Sequence, residues 1–385
     1  MKIPTLILAA AVALMAQSCS DSNDGPDTSL SEKEKSLQAA TRAYVLNTVL
    51  PTYEDMADAA IRMRDLCHTM QDKHAAGTLT QVDIKAAGDA WKQARKSWEL
   101  SEAFLFGPAA NHNIDPHIDS WPLDKAAMDN LLVQIRNGNA WSLENNGGYG
   151  LIGFHAVEYM LYELSADGNS SLVHSTDYTP EELEYLVAVA DDLCAQCVCL
   201  EACWAGLDNI SAAKRQILED AELDYGENYG WEMMNAASAG SRFKTYQEAA
   251  EEIIQGCIDI ADEVGNTKIG RPHIGSSLED KNYIESPYSL NSIEDFADNI
   301  RSIRNAYLGA KPDDASLSDY VRAQNPAVDA AVRKAIGDAI TAIELIPEPF
   351  AKSATGPLAE AAMQQAGTTL VSALEDAAAV ISGRK

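Results

Sequence analysis

The chain has 385 residues, enough for two domains of ordinary size, and 46% of them are hydrophobic, which excludes wholesale disorder. Its 58 Asp and Glu outweigh 29 Lys and Arg, and a net charge of -29 repels nucleic acid and anionic membrane surfaces. Ala-rich stretches dominate and β-branched runs are short, so an all-helical fold is expected.

The first eighteen residues read as a signal segment. Lys2 supplies a positive start, and the apolar run from Ile3 to Ala16 is too short to span a bilayer. The segment Leu14-Met15-Ala16-Gln17-Ser18-Cys19 resembles a lipoprotein signal, with Cys19 as the lipidated new N-terminus. The expected location is therefore outside the cytoplasm, anchored to the outer membrane through Cys19 on its periplasmic side or at the cell surface. Residues 19–30 are polar and acidic and read as a disordered tether.

Helix starts follow from capping chemistry. Ser31 with Glu34, Thr80 with Asp83 and Ser316 with Asp319 share the spacing of a capping box. Thr179-Pro180-Glu181-Glu182 places Thr at the cap, Pro at the first helical position and Glu at the third. Asn325-Pro326 repeats the proline signal. Between Asn291 and Tyr307, apolar residues at Ile293, Phe296, Ile300 and Ile303 keep helical spacing, and Gly309 follows as a stop. Helices are thus expected near 31–75, broken or kinked by Pro51, and near 80–106, 123–137, 148–164, 180–205, 208–220, 241–264, 291–308, 316–323, 326–347 and 355–382. No alternating strand pattern occurs.

Three stretches, 107–122, 222–240 and 265–290, are rich in Gly, Pro and aromatic residues and read as ordered loops. The second divides an N-terminal bundle, 31–220, from a C-terminal one, 221–385. Beyond Cys19 there are six cysteines: Cys67, Cys194, Cys197, Cys199, Cys203 and Cys257. Four crowd into ten residues of one expected helix, with Cys199 and Cys203 at i, i+4. They lack the paired spacing of a zinc ribbon and read as small buried residues, with their disulfide state open.

The chemistry concentrates in Gly153-Phe154-His155-Ala156-Val157-Glu158. On a helix, His155 and Glu158 are three apart and project from one face, where an imidazole and a carboxylate can share a metal or exchange a proton. Gly153 costs about 1 kcal/mol in a helix interior, which points to close approach by a neighbour.

This Gly-x-His-x-x-Glu motif resembles the signature of the imelysin, or M75 peptidase-like, family. The segment WKQARKSWELSEAFLFGP with IDPHIDSWPLD, and later YIESPYSLNSIEDFADNIRSIRNAYLG, are similar to further family segments, in the same order. The resemblance spans most of residues 35–345. It implies two helical bundles related by a pseudo-two-fold, with the motif at their interface. By resemblance, His155 and Glu158 are metal ligands, and Glu102 and Asp119 join them. Gly153, Trp121, Glu285, Ser286, Asn291 and Arg301 are further site candidates. Asp295 also falls in a matching segment, but reads equally as the N3 partner of Ser292. His112 and His117 lie in a loop that could approach His155.

Three functions remain open at this level. The first is metal binding in iron acquisition, with iron favoured and zinc an option for a mixed N/O site, and with an iron-uptake receptor or permease as partner. The second is a metal-dependent peptidase, which needs a third ligand and a general base. The third is a non-catalytic module binding a peptide or small ligand.

Overall fold

The computed structural model describes residues 30–143 and 148–384. The signal segment, Cys19 and the tether as far as residue 29 lie outside them. Among the described residues the fold is all-helical apart from one short hairpin.

In chain order, α1 (Glu32–Tyr44) runs through a wide π-helical turn at Val45–Val49 into α2 (Leu50–Ala75), and α3 (Gln81–Glu99) packs along α2. Pro51 does not break this helix. It falls in the first turn of α2, and the widened turn before it absorbs the crowding that a proline ring imposes on the carbonyl four residues back. α3 stops at Glu99, short of the expected 106, and Glu102–Phe104 adds a single 3₁₀ turn. The 107–122 stretch is not purely loop: it holds α4 (Pro108–Asn111) and α5 (Ile114–Ile118).

After α6 (Lys125–Arg136) comes the motif helix, α7 (Gly153–Leu161), which begins five residues later than expected. It leads directly into β1 (Tyr162–Leu164), paired antiparallel with β2 (Ser170–Leu172). Strands of three residues are too short to leave an alternating pattern in sequence. Next come α8 (Pro180–Ala205), α9 (Ala212–Asp220) and α10 (Tyr229–Met234). α8 starts as expected: Thr179 accepts from the Glu182 N–H and the Glu182 carboxylate accepts from the Thr179 N–H.

α11 (Tyr246–Asp262) continues through a π-helical turn at Glu263–Ile269 into α12 (Gly270–Ile274), so the start of the expected 265–290 loop is helical. The chain closes with α13 (Leu278–Lys281), α14 (Ser292–Leu308), α15 (Leu317–Gln324), α16 (Pro326–Glu344), α17 (Phe350–Ser353), α18 (Pro357–Gln364) and, after a third π turn, α19 (Val371–Ser382).

The apolar faces account for the packing. α2 lies against α3 and α8, burying Met56, Met63, Cys67, Trp91, Leu186 and Leu193. α11, α14, α16 and α19 pack together around Ile253, Phe296, Ile303, Ile336 and Leu374. α3 also packs on α14, and the 102–104 turn on α11 and α14. These contacts bring charged faces of α3 and α14 to the middle of the molecule. The six cysteines from Cys67 onward are buried free thiols. Among the described residues, no helix is long and apolar enough to cross a membrane.

Candidate metal centre

α3 carries Trp91, Ala94 and Trp98 on its buried face, and Arg95 and Glu99 lie on that same face, one turn apart. Arg95 is wholly buried. Its guanidinium meets Glu99 Oε1 at 2.5 Å, Glu285 Oε1 at 2.7 Å, Asp295 Oδ2 at 3.3 Å and, closer still, Asp119. A buried ion is tolerated only with such compensation, because its desolvation costs several kcal/mol. Lys268, from the π turn after α11, is the second buried cation. It lies 3.1 Å from Glu285, 3.3 Å from Glu102 and 3.9 Å from Glu99.

The motif helix enters this lattice end-on. Gly153 is its first residue, with φ +76°, rather than an interior position. A Cβ there would sit 2.2 Å from the Ile118 carbonyl oxygen, so only glycine lets α7 lie against the chain end of α5. That contact sets His155 beside Asp119, with Nε2 3.1 Å from Oδ1. The other ring nitrogen, Nδ1, lies 3.1 Å from Glu158 Oε2. Glu158 Oε1 accepts from the Tyr288 and Ser289 N–H groups, at 3.0 and 2.8 Å, and from the Ser289 hydroxyl at 2.7 Å. Both oxygens of Glu158 are therefore committed: one ties α7 to the 286–291 loop and the other holds the imidazole.

The electrostatics follow from burial against these partners. Burial pushes Glu99 and Glu102 well above the usual carboxylate range, and Arg95 and Lys268 only partly offset it. Burial acts on Asp119 in the same direction, but Arg95 and His155 outweigh it and hold its carboxyl below that range. Burial disfavours the charged imidazole of His155, yet Asp119 and Glu158 more than compensate and raise it to about 9.

Several polar atoms are left over. His155 Nε2, Glu285 Oε2 and Glu99 Oε1 are buried and make no aligned hydrogen bond. Donor atoms of Asp119, His155 and Glu285 lie within 4.8 Å of one another, as do those of Glu99, Glu102 and Asp119. Two overlapping triads of N and O donors suit a divalent first-row cation. The fit is chemical as well as spatial. With its Nδ1–H given to Glu158, a neutral His155 presents the Nε2 lone pair to the triad, the second-partner arrangement common at metal-bound histidines.

Of the candidate residues, His155, Glu158, Asp119, Glu102 and Glu285 converge here. Ser286, with φ +45°, donates to Asp295 Oδ2 at 2.5 Å, and Asn291 donates to Asp295 Oδ1 at 2.6 Å. Both shape the lattice behind Arg95. Asp295 is not the capping partner of Ser292; Asn291 holds the N-cap position without a side-chain capping bond, and the Asp295 carboxylate turns inward. Trp121 stands at the rim, its ring 6.5 Å from His155 and 3.8 Å from Tyr283. Arg301 does not reach the centre; it pairs with Asp298, Glu294 and Glu344 on the outer side of α14. His117 pairs with Asp192 and His112 faces Glu227, so neither loop histidine joins His155. Sequence reasoning missed Arg95, Glu99, Lys268 and Ser289. Arg95 and Glu99 left a signal, two charges on a face otherwise Trp and Ala.

Comparison with known proteins identifies the family and the fold. The sequence pattern of the family described as Peptidase M75, imelysin, matches residues 49–381. Iron-regulated protein A of Synechococcus elongatus is 27% identical over 332 residues, covering 86% of this chain and 81% of its own. A crystal structure of a candidate iron-regulated protein A precursor from Parabacteroides distasonis aligns with a TM-score of 0.75 at 27% identity, over 90% of this chain and 95% of that one. An imelysin-like protein from Psychrobacter arcticum shares the fold at a TM-score of 0.54 and 14% identity, over 91% and 94% of the two chains. With its helical architecture and Gly-x-His-x-x-Glu motif set in this lattice, the chain belongs to the imelysin family.

Proposed function

We propose that this protein binds a transition-metal cation, iron before zinc, through His155, Asp119 and Glu285, and that it serves iron acquisition. The observation that carries the reading is the set of three donors within 4.8 Å, of which the two buried ones, His155 and Glu285, each have an atom without a hydrogen-bond partner. Glu102 and Glu99 extend the donor set through Asp119. Glu158 acts as a positioning residue, holding the imidazole and joining α7 to the 286–291 loop. The names of two relatives, an iron-regulated protein A and a candidate precursor of one, support iron as the cargo. The site would lie at the seam between the bundles 31–220 and 221–385. The lipid anchor at Cys19 would hold the protein at the outer membrane, in place to pass its cargo to an uptake receptor or permease.

Peptidase chemistry finds less support. A metallopeptidase must bring a substrate carbonyl to its ion, and here His155 is 2% exposed and Glu285 0%. An ion fits among such side chains, whereas a peptide chain does not.

The test is the iron and zinc content of the full chain beside its His155→Ala/Glu158→Ala variant. The parent is expected to hold one ion more per chain than the variant. Equal content in the two overturns the reading.

A further inference from the structure

A second cluster of metal-binding side chains lies away from Arg95, where α4, α8 and the 222–228 loop meet. α8 carries Cys199 and Cys203 one turn apart, both buried. His112 stands at the C-terminal end of α4, and its ring is stacked on Tyr225, with centroids 4.0 Å apart and planes within 6°. The turn that delivers Tyr225 and Glu227 is held by the Gly226 N–H, which donates to Asp224 Oδ1 at 2.8 Å. Glu227 Oε1 lies 3.4 Å from Arg242, which leaves Oε2 facing His112.

We infer that His112, Cys203 and Glu227 form a zinc-class cation site separate from the motif centre. The donor atoms of all three lie within 4.8 Å of one another. His112 Nε2 and Glu227 Oε2 are 3.4 Å apart, which resembles an ordinary ion pair, but they do not align as a hydrogen bond. Both are buried atoms without a partner. Two orphaned polar atoms facing each other and a thiol call for a shared third body. Beside the cluster lies a small cavity of about 10 Å³, lined by Cys199, Cys203, Tyr225 and Glu227 but not by His112, with no room for an organic ligand.

The donor chemistry narrows the ion. One sulfur, one imidazole nitrogen and one carboxylate oxygen match zinc or a similar thiophilic divalent ion. The motif centre has no sulfur donor, so the two sites differ in kind. Binding here displaces the Cys203 thiol proton to solvent, and the thiolate takes up one bond to the ion. The Tyr225 stack fixes the plane of the imidazole, and Arg242 orients the carboxylate from outside.

Cobalt(II) reads this site separately, because only a thiolate ligand gives a sulfur-to-cobalt charge-transfer band in the near ultraviolet. The full chain, kept reduced, is titrated with Co²⁺. The band is expected to saturate at one equivalent and to persist in His155→Ala/Glu158→Ala, whatever becomes of the motif centre. It should vanish in Cys203→Ser. In His112→Ala and Glu227→Gln cobalt should bind at least about tenfold more weakly, the smallest loss expected even for an outer partner. Absence of the band in the parent chain overturns the inference. So does a band that survives unweakened in His112→Ala and Glu227→Gln, since the thiol would then act without its cluster.

Discussion

Two regions of the molecule are equally buried and built from opposite chemistry. Between α2 and α8, Met56, Met63, Cys67, Leu193 and Cys197 pack without direction, and each contact adds a little to the whole. Around Arg95, Glu99, Asp119, Glu285 and Asp295 are as deep, but each charge is tolerable only because of the others. Buried ion pairs are poor sources of stability, and an apolar filling of the same volume serves a fold as well or better. Six carboxylates, Glu99, Glu102, Asp119, Glu158, Glu285 and Asp295, surround Arg95, Lys268 and His155. Burial raises Glu99, Glu102 and Asp295 toward their neutral forms, so the lattice balances its charges partly by holding protons.

The largest effect should come from removing the shared cation. Arg95→Met leaves four carboxylates without their partner, and the loss expected is at least about 3–5 kcal/mol. Leu193→Ala, in the apolar region, should lose about 2–5 kcal/mol through its cavity. The two differ in pH dependence. Without Arg95 the carboxylates bind protons more readily than before, so acidification relieves the damage and the deficit shrinks. The Leu193→Ala deficit contains no titrating group and stays constant. Urea unfolding of both variants at neutral and mildly acidic pH measures this, and parallel behaviour would erase the distinction between the regions.

A smaller lever needs no mutation of the lattice. Asp119 and Glu158 hold the His155 imidazolium up to about 9 against the opposing effect of burial. In the metal-free protein the folded value is raised above the unfolded one of about 6.5. This contribution to stability is therefore complete below about pH 6.5 and is lost as pH climbs through about 9. Metal binding runs the other way, because a ligand imidazole must first lose its proton. Affinity at the motif centre should rise about tenfold per pH unit up to about pH 9 and then level. Competition titrations across that range test it, with His155→Ala expected to be flat.

How much of this was legible in the sequence depended on whether local rules decided the outcome. Thr179, Pro180 and Glu182 fixed the start of α8 because a cap is satisfied within one turn. His155 and Glu158 were legible as a pair, three apart on one helix. Arg95 and Glu99 were legible in principle, since i, i+4 charges beside Trp91 and Trp98 have no water to face. Lys268 was not. Gly265, Gly270 and Pro272 oppose a regular helix, so its segment read as loop, yet a π turn carries it inward. Ser289 was hidden for another reason: two of the groups that bind Glu158 are backbone N–H groups, which every sequence possesses. Arg301 entered through family resemblance alone, and its place on the outer side of α14 depends on packing against Glu344, which no local pattern reports.

The smallest effect probes how the lattice holds its histidine. Glu158 Oε1 takes three hydrogen bonds, two from the Tyr288 and Ser289 backbones and one from the Ser289 hydroxyl. Ser289→Ala deletes only the last, so the carboxylate keeps its backbone partners and its hold on His155 Nδ1. The stability loss should be about 1 kcal/mol, near the ordinary net value of a single hydrogen bond. Metal affinity should fall about tenfold, the low end for removing an outer partner. Chemical denaturation and metal titration of Ser289→Ala beside Glu158→Ala separate the two contributions. If Ser289→Ala costs as much affinity as Glu158→Ala, the hydroxyl and not the backbone positions the carboxylate, and the 286–291 loop serves only as its carrier.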